Sequence, residues 1–206
     1  DRVYLWSVAG WDVYLTWVLV GVAGSAGMTI LNIRGVRMAA LLQTVVVGLI
    51  LLIGLAFILG SVARGNTDSL QPFIEDGFSG ITLVLVMVPF MFVGFDTIPQ
   101  AAEEINLPFR DIGTVLMLSV LMGVAWYSLI ILGVGLMLSP EEYESTDLAA
   151  AKANSMIYGD LGRFVMLSAG LAGIITSWNA FIVGGSRAIY ALSRAKLLPE
   201  FFGELH

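Results

Sequence analysis

Cysteine is absent from the 206 residues, and histidine occurs once, at His206. The first absence excludes disulfides, thiolate metal sites and cysteine nucleophiles. The second leaves a Ser-His-Asp centre only the terminal residue to use. Charge is scarce as well: Asp, Glu, Lys and Arg make up 13% of the chain, against about 25% in soluble domains. The net charge of −6 provides no basic footprint for nucleic acid or for an anionic membrane surface. No GxxxxGK[ST] phosphate loop occurs, so nothing points to a nucleotide-driven pump, and no selectivity-filter repeat suggests a channel. No histidine, cysteine or paired carboxylates converge in the apolar segments, so neither an enzyme nor a resident cofactor or metal is expected. Glu103 and Glu104 are adjacent, but a solvated face near Arg110 is their simpler account. No signal peptide is visible. The chain opens on Asp1 rather than Met, directly before an apolar piece, and reads as an excerpt from a longer protein.

What the chain has in quantity is apolar length. Hydrophobic residues are 58% of it, and the mean hydropathy is +0.89. Five charge-free runs stand out, Val13–Ile33, Met38–Ala63, Gly77–Phe95, Ile112–Pro140 and Phe164–Ser186, of 21, 26, 19, 29 and 23 residues. About 20 residues of helix cross the hydrocarbon core of a bilayer. Five such runs in so short a chain leave too little polar surface for a soluble fold. The expectation is an all-α polytopic membrane protein with five transmembrane helices in a single domain. The spans fall at about 13–33, 38–63, 77–105, 112–138 and 164–190. The lipid bilayer is therefore an expected partner, and nucleic acid is not.

Basic residues in the connections suggest an orientation. With the N-terminus outside, the inner connections hold six Lys or Arg in 40 residues and the outer ones four in 48. This bias favours N-terminus out and C-terminus in, and a plasma (inner) membrane location. Trp6, Trp11 and Trp17 flank or enter the first span, as interfacial aromatics do. The glycines of "GVAGSAG" at Gly21–Gly27 suit close helix packing. "SPEE" at Ser139–Glu142 reads as a capping box with Pro at the first helical position. "TDLAAAKANSMIYGD" reads as a second short outer helix ending near Gly159.

The stretch "PFMFVGFDTIPQAAEE", Pro89 to Glu104, is unusual. Pro89 cannot donate to the carbonyl of Leu85, nor Pro99 to that of Phe95. Gly94 relaxes the backbone between them. "TIPQ" then reads as a new capping box starting at Thr97. Two half-helices meet near Val93–Asp96, and a break with unpaired carbonyls and amides survives in a membrane only inside protein or beside a polar cavity. Asp96 adds a charge that costs roughly 2.5–3.5 kcal/mol deep in a span on insertion scales. It should face water, a cation or a partner, or carry a proton. Alternatively the break is a packing kink, or the span ends at Phe95 and Asp96 is an interfacial cap. Broken helices of this kind form the binding sites of secondary transporters.

At these residues the chain resembles the amino acid–polyamine–organocation transporters. "FVGFDTIPQAAEEINLPFRDI" is similar to their broken sixth helix and the inner loop after it. "LNIRGVRMAALLQ" resembles the join of their fourth and fifth helices, and "GIITSWNAFIVGGSRAIYALSRAKLLPEFF" their eighth helix and following loop. The matches occur in family order. The resemblance implies a partial five-plus-five inverted-repeat fold, with the five runs as helices four to eight. It implies a permease of amino acids, working by alternating access as symporter or exchanger. An amine or polyamine exchanger, or a non-transporting receptor, are the alternative readings. The substrate would be held by Phe90, Met91, Val93, Gly94, Phe95 and Asp96, with Phe90 as gate and backbone carbonyls receiving its ammonium group. Thr176 and Ser177 match a hydroxyl pair that ligates sodium in sodium-coupled relatives, although such hydroxyls also bond back to helical carbonyls. The coupling ion is sodium or a proton. Some proton-coupled members carry a lysine on helix five, and none lies between Arg37 and Arg64.

Overall fold

A computed structural model describes residues 3–72, 74, 77–91, 94 and 108–204, with Val36, Arg37, Phe90, Met91 and Phe109 described by backbone alone. The described residues begin with a hairpin, β1 (Tyr4–Val8) and β2 (Trp11–Tyr14), and the regular elements described after it are helical. Helices α1 (Leu15–Arg34) and α2 (Val36–Arg64) are followed by a 3₁₀ turn at Thr67–Leu70 and by α3 (Gly77–Met91). Then come α4 (Phe109–Met137), the short α5 (Pro140–Glu144), α6 (Ala149–Arg194) and a last 3₁₀ turn at Glu200–Gly203. Among the described residues, four helices are long and apolar enough to cross a membrane and α3 is a shorter apolar helix; the rest of the span expected at 77–105 lies mostly outside the described residues. This is an all-α polytopic membrane fold with one exception. The hairpin occupies residues for which the sequence suggested only helix and loop.

The punctuation between elements follows from single residues. Gly35 alone separates α1 from α2, with φ at +143°, a backbone setting that side-chain-bearing residues avoid. Ser139 accepts a hydrogen bond from the Glu142 amide while the Glu142 carboxylate accepts one from the Ser139 amide, and Pro140 opens the helix. The "SPEE" capping box is therefore formed in full, satisfying two amides that the helix cannot pair internally. Gly159 breaks α6 into two helical pieces, with φ +67° and ψ −156°, a region open essentially to glycine alone. The sequence-predicted end of the outer helix falls at this residue.

Two compact units divide the chain, one of Asp1–Val46 with Ile174–His206 and one of Val47–Gly173. In the second unit the core is a cluster of Phe57, Val134, Met137, Leu138, Ala153 and Ile157, drawn from α2, α4, its C-cap and α6. Polar groups at its edge are paired across elements. The Arg64 guanidinium donates to the Ile157 carbonyl, the Tyr158 hydroxyl donates to the Ala56 carbonyl at 2.8 Å, and the Asn66 amide donates to Leu136 at 2.8 Å. Arg64 ends α2, where a cation also complements the helix dipole. In the first unit, Met28 and Ala39 are buried.

Glycine notches set how closely the helices approach. A Cβ at Gly54 would lie 2.3 Å from Cζ2 of Trp126, and one at Gly24 would lie 2.3 Å from Cζ3 of Trp178. Each indole thus seats against bare backbone, the contact by which helices associate in lipid, where no hydrophobic force draws them together. Gly48, six residues before Gly54 in the same helix, has open space around it.

Gly54→Ala should therefore lower the thermal unfolding midpoint of the detergent-solubilised protein. Overpacking of this kind typically costs about 1–3 kcal/mol. Gly48→Ala should leave the midpoint unchanged or raise it, because alanine is the better helix former by about 1 kcal/mol. Equal shifts for the two variants would refute the role of the Trp126 notch.

Candidate functional site

The residues expected to hold substrate lie at and beyond the end of α3. The helix continues through Pro89, and Phe90 and Met91 are its last two residues. Gly94 has φ +111°, a setting that glycine adopts without steric cost. Val93, Phe95 and Asp96 lie outside the described residues. Thr176 and Ser177 lie on α6 and, being neighbours, point about 100° apart on the helix. Thr176 lines a crevice with Met28, Ala39, Leu42, Gln43, Ile175 and Asn179, whereas Ser177 is exposed. The two hydroxyls thus do not share one face.

Three amides meet at this crevice. The Asn32 side chain of α1 donates to Asn179 Oδ1 of α6 at 2.8 Å, and to the Met28 carbonyl at 2.9 Å. Asn179 in turn donates to Gln43 Oε1 of α2, and Asn179 itself is buried. The physical reason is the cost of an unpaired amide in an apolar surrounding, several kcal/mol by transfer to hydrocarbon. Each amide satisfies another, so the chain Asn32–Asn179–Gln43 ties three helices in register. The crevice has no interior volume large enough for a water molecule. As arranged it fastens helices and does not enclose a ligand.

The sequence carried a signal for this chain of amides that the motif reading passed over. Asn32, Gln43 and Asn179 are the sole amide side chains in their respective charge-free runs, and the other two runs contain none. A polar side chain isolated in each of three spans is an invitation to pair them, although nothing in the order of residues says which pairs form.

A second concavity, of about 240 Å³, is lined by Ser145, Thr146, Leu148, Ala151, Lys152 and Arg163. Its two cations are exposed. The segment around them also carries Glu141, Glu142, Glu144, Asp147 and Asp160, so the surroundings favour neither sign of ligand. No cluster of three or more His, Cys, Asp or Glu that could hold a metal occurs among the described residues.

Apolar helices of membrane-crossing length, fastened by glycine notches and mutually satisfied amides, define an integral membrane protein of the polytopic helical class. Within that class the chain belongs to the amino acid permease family, whose sequence profile matches residues 3–206. It is 29% identical to an uncharacterized amino acid permease, YecA, of Bacillus subtilis strain 168, over 98% of this chain and 46% of the relative. It is 24% identical to a methylthioribose transporter of the same organism, over 97% and 46%. It is 28% identical to a chloroplastic cationic amino acid transporter 9 of Arabidopsis thaliana, over 87% and 31%. The chain spans about half the length, or less, of these curated relatives. Comparison with solved structures finds no significant match.

If the amide chain fastens α6 to α2, then Gln43→Leu and Asn179→Leu should each destabilise the protein, and the double variant by less than their sum. Coupling energies for hydrogen bonds between membrane helices average about 0.6 kcal/mol and reach about 1.7. A double-mutant cycle on unfolding midpoints in detergent measures this directly. Strict additivity would mean that the two side chains act independently.

Proposed function

We propose that the complete protein is a secondary transporter of amino acids, moving its substrate by alternating access as a symporter or exchanger. The observation that carries this reading is the match of the permease family profile to residues 3–206. Two of the relatives are transporters by name, of methylthioribose in one case and of cationic amino acids in the other. Those substrates differ, so family membership leaves the substrate open. A neutral amino acid fits this chain best, because Asp96 is the one acid that the charge pattern places in a span. An amine or polyamine exchanger would call for more acids facing the cavity.

In this reading the substrate ammonium group is received by backbone carbonyls around Phe90, Met91 and Val93, with Phe90 closing over it. Gly94 supplies the turn, Phe95 completes the break and Asp96 couples binding to movement. Thr176 is the better placed of the two candidate sodium ligands, since it faces the neighbouring helices of its unit while Ser177 is exposed.

Counterflow with the full-length protein in proteoliposomes tests the proposal. A transporter loaded with unlabelled amino acid exchanges it for labelled substrate from outside, whereas a receptor binds and never exchanges. Asp96→Asn should reduce uptake more than Glu103→Gln does. Uptake unchanged when choline replaces sodium would remove the ion role of Thr176 and Ser177 and leave protons or exchange. Absence of exchange across the common amino acids and amines would end the transport reading.

The orientation is likewise a proposal, supported by the excess of Lys and Arg in the connections assigned to the inside. It places Glu200 inside and Ser145 outside. Both are exposed, whereas Ser193 is buried and donates to the Pro199 carbonyl, so Glu200 is the cleaner test position. A cysteine at Ser145 should react with an impermeant thiol reagent on sealed right-side-out cells, and one at Glu200 should not. The opposite pattern would reverse the topology.

A further inference from the structure

The hairpin ahead of α1 has two chemically different faces. Its strands pair Trp6 with Val13, Ser7 with Asp12 and Val8 with Trp11, with a bulge in the register between Tyr4 and Trp6. Side chains alternate between faces along a strand, and directly paired residues share a face. Trp6, Val8, Trp11 and Val13 therefore form one face, and Ser7 and Asp12 the other. The turn is tight: Ala9 and Gly10 have φ +50° and +86°, as in the two-residue turns that suit hairpin twist. Among the described residues the apolar face is uncovered, with Trp6 48%, Val8 58% and Trp11 71% exposed. An isolated two-stranded hairpin is at best marginally stable in water.

Its attachment fixes where this face lies. The Val3 carbonyl accepts a hydrogen bond from the Leu15 amide at 2.8 Å, satisfying one of the free amides at the start of α1. Tyr14 stands edge-on to Tyr4 and to Trp17, with ring centroids 6.4 and 5.2 Å apart. The hairpin base is thus clamped to the first turn of the helix. Helix α1 has 20 residues, about 30 Å at 1.5 Å per residue, which equals the hydrocarbon thickness. When α1 spans the bilayer, Leu15 sits at the hydrocarbon boundary and the hairpin at headgroup level.

We propose that the hairpin lies along the bilayer surface, with Trp6, Val8, Trp11 and Val13 in the headgroup–acyl boundary and Ser7 and Asp12 toward water. The partner is the lipid interface itself. Two indoles suit that layer because each is apolar in body and carries one N–H that needs a polar neighbour. No charge lies on the apolar face, and the acid of the hairpin, Asp12, is on the opposite one. The surface is continuous with a membrane helix, so lipid reaches it without any rearrangement. Functionally, the hairpin would act as a stop that fixes the depth of α1, and with it the depth of Asn32 near the other end.

Nitroxide labels on single cysteines at Val8 and Ser7, in the full-length protein reconstituted in liposomes, give the test. These neighbours face opposite ways, so Val8 should collide preferentially with oxygen, which concentrates in lipid. Ser7 should collide preferentially with a water-soluble nickel chelate. Preference for nickel at both positions would put the hairpin in water and overturn the proposal. Shielding of Val8 from both agents would also overturn it, assigning the face to another part of the protein. A readout that leaves the hairpin unlabelled uses Trp11 fluorescence, taken as the difference between the unmutated protein and Trp11→Phe. Acyl-brominated lipids should quench that difference more than aqueous iodide does, and the reverse order would refute the placement.

Discussion

Every backbone amide and carbonyl that enters hydrocarbon must find a partner within the protein, and that requirement governs most of what this chain does. It makes the apolar runs helical, since a helix satisfies its own backbone. It leaves the unpaired groups at helix ends, where capping by Ser139 and Glu142 and by the Val3 carbonyl meets part of the need. Side chains obey the same rule. Asn32, Gln43 and Asn179 each carry amide groups that lipid cannot satisfy, and they turn to one another.

Helix association then depends on shape more than on hydrophobicity, because a lipid tail is as apolar as leucine. Trp126 against Gly54 and Trp178 against Gly24 are the closest instances. In each, the absence of a Cβ on one helix admits the whole edge of an indole from another. These contacts and the amide chain serve different ends. Close packing supplies dispersion energy over many atoms. A hydrogen bond between amides fixes angular register, because it survives only over a narrow range of distance and direction. Thr176, one turn before Asn179 on α6, is positioned by the same contact, which is why it and not Ser177 faces the crevice.

The chain belongs to the amino acid permease family, whose profile matches residues 3–206. The chain covers 46% of two of the relatives named above, so the remaining half of those proteins has no counterpart in these residues. The exposed apolar faces of the helices are consistent with surfaces that meet lipid and further helices.

The sequence alone determined the class and part of the punctuation between elements. Charge-free runs of 19 to 29 residues can do little else than form membrane helices, and the cap at Ser139 and the break at Gly159 are written in residues whose local geometry is nearly obligatory. Hairpin residues 4–14 were not legible. Their strands are short, the register is interrupted by a bulge, and the turn uses Ala-Gly instead of the Asn-Gly or Asp-Gly that normally announces one. The amide chain was legible only as three isolated polar residues. Which of them would meet depended on the rotation of α1, α2 and α6 about their axes, separations of 136 and 147 residues in the chain, and so on packing that no local pattern encodes. The same holds for Thr176 and Ser177. Adjacent in sequence, they are equivalent as a motif, and only the placement of neighbouring helices assigned one to a crevice and the other to an exposed face.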